Sequence, residues 1–318
     1  MIDDPVLKNE WHIAARSKDL EEDGILASKV MGEDLVLWRS EGTVIAWKDL
    51  CIHRGAKLSL GKVINGCLQC PYHGWEYDKG GACVRIPAQP PERAIPGKAK
   101  TFPVHAIEKY SAIWVCVGEP ATEEPVLPIF DGSDKSIFVS GHPLVAKATR
   151  VIENYLDFAH QPYIHEGYLG DPEKPEVDDY TVEKSEGGLT ALGLRIWQPN
   201  PDGSGIPNYS TYDYYCFRPL QAAFTKQKVK SVLAATPVDE ENTVGYLLGM
   251  SEFRDEMDEE EAERWSALII GQDAAIVESQ RPELLPLDLQ EELHLACDRL
   301  AIAYRRWLKE LGLTYGVA

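Results

Sequence analysis

Cys51-Ile52-His53-Arg54-Gly55 and Cys70-Pro71-Tyr72-His73-Gly74-Trp75 decide how this chain reads. Each loop sets one thiol and one imidazole beside a glycine, with sixteen residues between His53 and Cys70. Two thiolates and two imidazoles can close a tetrahedral zinc site. They can also hold a [2Fe–2S] cluster, two cysteines on one iron and two histidines on the other. Structural zinc sites tend to gather like with like, as Cys-x2-Cys and His-x3-His, whereas loops that each mix Cys with His suit two chemically different irons. Cys67, three residues before Cys70, keeps a zinc-knuckle edge open as the lesser reading. Otherwise Cys67, Cys83, Cys116, Cys216 and Cys297 are expected to be buried thiols.

Working outward, the flanking sequence is rich in short β-type runs. Examples are Asp34-Leu35-Val36-Leu37-Trp38, Thr43-Val44-Ile45-Ala46-Trp47 and Ala112-Ile113-Trp114-Val115-Cys116-Val117. Turn residues bound each run, which predicts an antiparallel β domain. Proline-rich stretches at 87–103 and 120–128, the second beside Asp131-Gly132-Ser133-Asp134, place a boundary that divides the chain into 1–130 and 131–318.

The cysteine–histidine loops resemble the cluster motif of Rieske non-haem iron oxygenases, the terminal oxygenase α subunits. Respiratory Rieske proteins add a cysteine to each loop, and Ala56 and Tyr72 stand at those positions here. The resemblance is therefore to the oxygenase or ferredoxin branch.

A Rieske domain alone only moves electrons, so the second half must show what receives them. Residues 146–160 carry Val151, Ile152, Tyr155, Leu156 and Ala159 near a helical stripe. Asn154, Asp157 and His160 interrupt it in steps of three, near one face. His165 would point well away on a continuous helix. Pro162 is expected to stop the helix just before it and let His165 return beside His160. Two imidazoles and one carboxylate make a facial triad for Fe(II) with positions left open. Two aspartates compete for the carboxylate: Asp157 is local, and Asp273 lies in an otherwise apolar helical segment, where it is costly to bury unpaired. Spacing alone does not choose. The resemblance implies His160, His165 and Asp273 as iron ligands, Asp157 as the link from His160 to a cluster histidine, and Asn154 near the iron. His12, His105, His142 and His294 are left as structural.

Strands are expected again between Gly187 and Ser251. A long helix should follow from Asp255 to Gln280, opening on Asp255, Glu256, Asp258, Glu259, Glu260 and Glu261, with a last helix over 298–311. The pattern is α+β. The resemblance implies a helix-grip catalytic domain, an antiparallel sheet with helices, after the Rieske β domain. The aromatic run Tyr209, Tyr212, Tyr214, Tyr215 and Phe217 could line a pocket, although core packing explains most of it.

A formal charge of −19 argues against a nucleic-acid partner. No run approaches the ~20 apolar residues of a membrane helix. The start of the chain lacks a secretory pattern, and seven irregularly spaced cysteines do not form a disulfide framework. A cytoplasmic protein is expected. No dinucleotide fingerprint is present, so NAD(P)H oxidation belongs to a separate ferredoxin or flavin reductase. Between Cys51 and Arg85, Arg54, Lys57, Lys62, Lys79 and Arg85 outnumber Glu76 and Asp78, which suggests a basic docking patch for that partner.

The expected function is O2 activation at a mononuclear Fe(II) with electrons from the cluster. The substrate expected is a small cyclic or aromatic-like organic molecule, hydroxylated or oxidatively demethylated. Arene cis-dihydroxylation, or a Rieske protein that only transfers electrons, are the alternatives. The resemblance also implies a homotrimer. Residues 165–171 and 303–312 look similar to vanillate-demethylase-like and saxitoxin-tailoring monooxygenases, without chemistry that fixes a substrate.

Overall fold

Extended strands build both halves of the protein, some alternating buried and exposed side chains as in Asn208–Arg218, others buried on both faces as in Ala112–Cys116. The computed structural model describes residues 1–131, 137–201, 204–251 and 258–318. The chain divides into two compact units, Met1–Asp3 with Lys8–Pro125, and Asp4–Leu7 with Val126–Ala318. Gly132, Ser133 and Asp134 of the expected boundary lie outside the described residues, as do Asp255 and Glu256 of the expected helix start.

The first unit contains β1 (His12–Arg16), β2 (Ile25–Val30), β3 (Glu33–Ser40), β4 (Thr43–Lys48), β5 (Lys62–Ile64), β6 (Cys67–Gln69), β7 (Glu76–Tyr77), β8 (Cys83–Arg85), β9 (Pro103–Lys109) and β10 (Ala112–Cys116). They form two antiparallel sheets, ordered β1-β10-β9-β4-β3-β2 and β5-β6-β7-β8. Trp38, Trp47, Tyr77, Leu58 and Leu68 pack into one core with Cys51 and Cys70, so the two cysteine–histidine loops rise from an apolar base. Burying aromatic side chains of this size is the main stabilising contribution of so small a unit.

The second unit contains β11 (Phe138–Leu144), α1 (Ala148–Leu156), α2 (Gln161–Ile164), β12 (Glu183–Ser185), β13 (Gly188–Gln198), β14 (Asn208–Arg218), β15 (Gln221–Lys226), β16 (Val229–Pro237), β17 (Thr243–Ser251), α3 (Glu259–Val277) and α4 (Arg299–Leu311). Its antiparallel sheet runs β11-β17-β16-β15-β14-β13-β12. Along β14, Ser210, Tyr212, Tyr214 and Cys216 are buried while their neighbours face outward. Helix α1 lies on β15–β17, α3 on β11 and α1, and α4 on α1 and β13. Asp258 caps α3 by accepting from the backbone N–H groups of Glu260 and Glu261. Gly312, in the left-handed region, ends α4.

Two polar devices hold this unit. Glu153 of α1 takes a bidentate pair from Arg305 of α4, at 2.5 and 2.9 Å, and Arg150 and Arg305 both reach Glu292. Asp4 is fully buried. Its Oδ1 accepts from the N–H of Val6 and Leu7, and its Oδ2 from Thr314 N, Thr314 Oγ1 and Tyr315 N. Burial opposes the charge, but these donors hold the Asp4 carboxyl below the usual carboxylate range.

Among the described residues, no helix is long and apolar enough to cross a membrane.

Candidate functional site

The two cysteine–histidine loops fold alike. Cys51 N donates to Ala56 O and Gly55 N to Cys51 O; Cys70 N donates to Trp75 O and Gly74 N to Cys70 O. Gly55 and Gly74 have φ of 72° and 66°, a conformation that L side chains rarely adopt, so a glycine four residues after each cysteine is a backbone requirement. The loops bring the His53 and His73 rings to 4.5 Å, and Trp75 stacks on His53 at 4.5 Å. Both thiols are free and buried. Tyr77 Oη lies 3.2 Å from Cys51 Sγ.

Burial raises the Cys70 thiol, while backbone N–H groups of Tyr72 and His73 aimed at it favour the thiolate. His53 Nδ1 is buried without a hydrogen-bond partner. These groups fit a cluster: two shielded sulfurs, paired imidazoles and an unpartnered ring nitrogen. They do not fit one zinc ion. Among the described residues, the group of three or more ligand atoms that lies within 4.8 Å is elsewhere, at His160, His165 and Asp273. Cys67 sits on β6 opposite Ile64 and is only partly buried, as is Cys297, so the buried-thiol expectation fails for these two. Cys67 is on a paired strand, outside both loops.

The second constellation assembles by a different break from the one expected. Helix α1 ends at Leu156, not before Pro162. Asp157 leaves helical geometry and its Oδ1 accepts from Ala159 N at 2.9 Å, closing a local turn that competes with the helix. Pro162 then falls in the first turn of α2, where its missing N–H costs nothing. His160 and His165 flank that single turn, and their Nε2 atoms come to 3.3 Å. Asp273 Oδ1, from α3, lies 3.4 Å from His160 Nε2 and 3.2 Å from His165 Nε2.

His165 Nδ1–H donates to Gln272 Oε1 at 2.9 Å, which leaves its Nε2 lone pair facing the group. Sequence reasoning missed Gln272, although it is the residue beside Asp273. Asp273 Oδ1 is buried with no hydrogen-bond partner. A carboxylate oxygen and two ring nitrogens turned toward one point are mutually repulsive without a cation, so the trio fits a metal ion. Burial alone would lower the His160 pKa, but Asp157 and Asp273 outweigh it and raise it. Asp157 Oδ2 is 3.7 Å from His160 Nδ1 and the side chain is 42% exposed, so Asp157 stands behind the ring and outside the trio.

The trio opens on a cavity of about 290 Å³. One row of the sheet register floors it: Tyr214 is opposite Phe224, Phe224 opposite Ser231, Ser231 opposite Gly249 and Gly249 opposite Phe138. A Cβ on Gly249 would meet open space. Asn154, Tyr212 and Trp265 also line the cavity. Of the aromatic run, Tyr212 and Tyr214 reach it, whereas Tyr209 packs on Trp197 and Tyr215 on Phe217. His142 contacts the hydroxyls of Ser140 and Ser266.

The basic docking patch loses most of its excess on folding. Lys57 pairs with Asp34, Lys79 with Glu41 and Arg85 with Glu76. Asp34 and Glu41 lie outside the counted stretch, which is why the local sum overstated the charge.

A pair of cysteine–histidine loops fit for an iron–sulfur cluster on one unit, and a His-His-Asp group beside a cavity on the other, are the two sites expected of an oxygenase component. Residues 10–110 match the Rieske [2Fe–2S] domain, and residues 144–314 match the vanillate O-demethylase oxygenase C-terminal domain. Methylxanthine N1-demethylase NdmA of Pseudomonas putida is 32% identical over 96% of this chain and 89% of its own. The N3-demethylase NdmB of the same species is 30% identical over 98% and 91%. The structure of P. putida NdmA with caffeine superposes with a TM-score of 0.80, covering 96% of this chain and 91% of that one. Dicamba monooxygenase, 23% identical with a TM-score of 0.78 over 96% and 97%, shares the fold. The chain belongs to the Rieske non-haem iron oxygenases. It is an O2-dependent terminal oxygenase whose cofactors are a [2Fe–2S] cluster and a mononuclear iron, and it draws electrons from a separate reductase.

Proposed function

We propose that the protein oxidatively removes a methyl group from nitrogen or oxygen on a small planar ring. The observation that carries this reading is the convergence of His160, His165 and Asp273 on the wall of a cavity of about 290 Å³ otherwise lined largely by aromatic and aliphatic side chains. Such walls hold a flat ring by apolar burial and leave orientation to a few polar groups. The named activities of NdmA and NdmB, methylxanthine N-demethylation, support the reaction type.

In this reading Cys51 and Cys70 bind one cluster iron, His53 and His73 the other, and His160, His165 and Asp273 hold the mononuclear iron. When bound, that iron supplies O2 activation. Gln272 fixes the tautomer and ring angle of His165. Asp157 orients His160 and carries a hydrogen-bond path toward a cluster histidine, and Asn154 borders the iron without binding it. The balance is one N- or O-methylated ring, one O2, two electrons and two protons in; the demethylated ring with its N–H or O–H, formaldehyde and water out. We also read the chain as one subunit of a homotrimer acting in the cytoplasm.

Metal, sulfide and product analysis test this together. About three irons and two sulfides per chain are expected, with one label from labelled O2 in the released formaldehyde, trapped before it exchanges with water, and none in the demethylated ring. Two labelled oxygens in a cis-diol would establish dioxygenation instead. No exchangeable third iron after reconstitution would remove the assignment of the trio. Native mass spectrometry reads the trimer.

A further inference from the structure

We infer that Gln161 is a substrate-recognition residue whose side-chain oxygen accepts a hydrogen bond from an N–H or O–H on the ring. This rests on the small-ring reading above and narrows it. Gln161 opens α2 directly after His160, lines the cavity and is 7% exposed. Its Nε2 donates to Tyr214 Oη at 3.2 Å, which fixes the amide plane. Its Oε1 is buried and has no partner.

Buried amide oxygens are nearly always paired, and leaving one unpaired is costly. Among the described residues, the unpartnered buried side-chain atoms on the cavity wall belong to His160, Asp273 and Gln161. The His160 atom is Nδ1, on the side of the ring toward Asp157, and the Asp273 atom is the Oδ1 that faces both imidazoles. The third is a neutral acceptor one residue from a proposed iron ligand, so it awaits a donor on the substrate. Its neighbours on the wall are already committed: Tyr155 O–H donates to Ser231 Oγ, and Lys226 donates to Gln198 Oε1.

A fully methylated ring has no hydrogen to offer this oxygen. The site therefore favours rings that already carry a free N–H or O–H.

The test is equilibrium binding to the iron-loaded protein under anaerobic conditions, with two probe pairs that exchange a donor for a methyl group. These are theobromine against caffeine, and 2-methoxyphenol against 1,2-dimethoxybenzene. The donor-bearing member of at least one pair should bind about tenfold tighter or better, the scale of one buried hydrogen bond. Gln161→Met and Gln161→Leu should reduce that preference to about twofold or less. Iron content and melting temperature check both variants; if neither folds, the wild-type comparison decides alone. Equal binding within both pairs, or a preference that survives in folded variants, overturns the role of Gln161 and leaves the small-ring reading standing. No binding by any of the four probes overturns both.

Discussion

The phenol oxygen of Tyr77 lies 3.2 Å from the sulfur of Cys51, and both residues are buried in the core beneath the cluster loops. Burial holds the Tyr77 phenol far above its ordinary pKa, so it stays protonated and, with Cys51 bound to the cluster as proposed, would donate to its thiolate. A hydrogen bond to cluster sulfur stabilises the reduced, more negative state. Tyr77→Phe should lower the cluster potential by roughly 40–80 mV, equivalent to about 1–2 kcal/mol for one electron. Redox titration of the purified protein measures it, and an unchanged potential would assign the contact to packing alone.

Asp273 and Asp157 should separate cleanly. Asp273→Ala removes one of three atoms that converge on the proposed iron, so it should lose the mononuclear iron and keep the cluster. Asp157→Ala should keep both centres and lose nearly all coupled turnover, because only its contact behind His160 is gone. Asp157→Asn should hold the fold better than Ala and still lose much activity. Equal iron loss in the Asp157 and Asp273 variants would make Asp157 a direct ligand.

Gly249 sets the depth of the cavity. Its missing side chain leaves open space in a row otherwise filled by Phe138, Ser231, Phe224 and Tyr214. Gly249→Leu should fill that space, raise KM for ring substrates about tenfold or more, and leave iron and cluster content unchanged. Steady-state kinetics with metal analysis reads both; an unchanged KM would place the ring elsewhere.

The Glu153–Arg305 pair ties α1, which leads into Asp157 and His160, to α4. Arg305→Met should destabilise the protein by about 2–3 kcal/mol, because it leaves the Glu153 charge partly stranded with only its 3.3 Å pair to Arg150. Denaturant unfolding would show this as a lower midpoint, with faster iron loss on dialysis. Recovery in the double variant Glu153→Met/Arg305→Met would identify the stranded charge as the cause.

Electron donation should depend only weakly on salt. Three of the five basic residues near the cluster loops are paired with carboxylates, and Ile52, Leu60 and Tyr72 are exposed beside them. Raising ionic strength from about 0.05 to about 0.5 M should change donor-driven turnover by less than roughly threefold. A drop beyond about tenfold would restore charge as the main docking force.

Local features were legible in the sequence. The cluster loops are a contiguous motif whose glycines answer to backbone geometry, and α3 and α4 carry their own caps. What stayed hidden depends on distant partners or on close local competition. No periodicity reports that Lys57 finds Asp34 or that Arg305 finds Glu153. The helix break moved from Pro162 to Asp157 because a two-residue side-chain turn outcompeted the continuing helix. Gln161 and Gln272 read as ordinary polar residues until the fold placed one on the cavity and the other against His165.

The Asp4 clasp makes most of the cluster unit an insertion, with Met1–Asp3 of that unit standing before the clasp. Lys8–Pro125 is spliced into the chain between Asp4–Leu7 and Val126, both of which belong to the catalytic unit. A fragment beginning at Val126 would leave Thr314 N, Thr314 Oγ1 and Tyr315 N without their shared carboxylate. The apparent boundary is therefore a poor place to cut. Synthesis order follows from the same topology. Asp4 leaves the ribosome 310 residues before Thr314, so the cluster unit can fold while the catalytic unit still waits for its partner strand of hydrogen bonds. The clasp that joins the two ends of the catalytic unit's sequence thus forms only after Tyr315 has emerged.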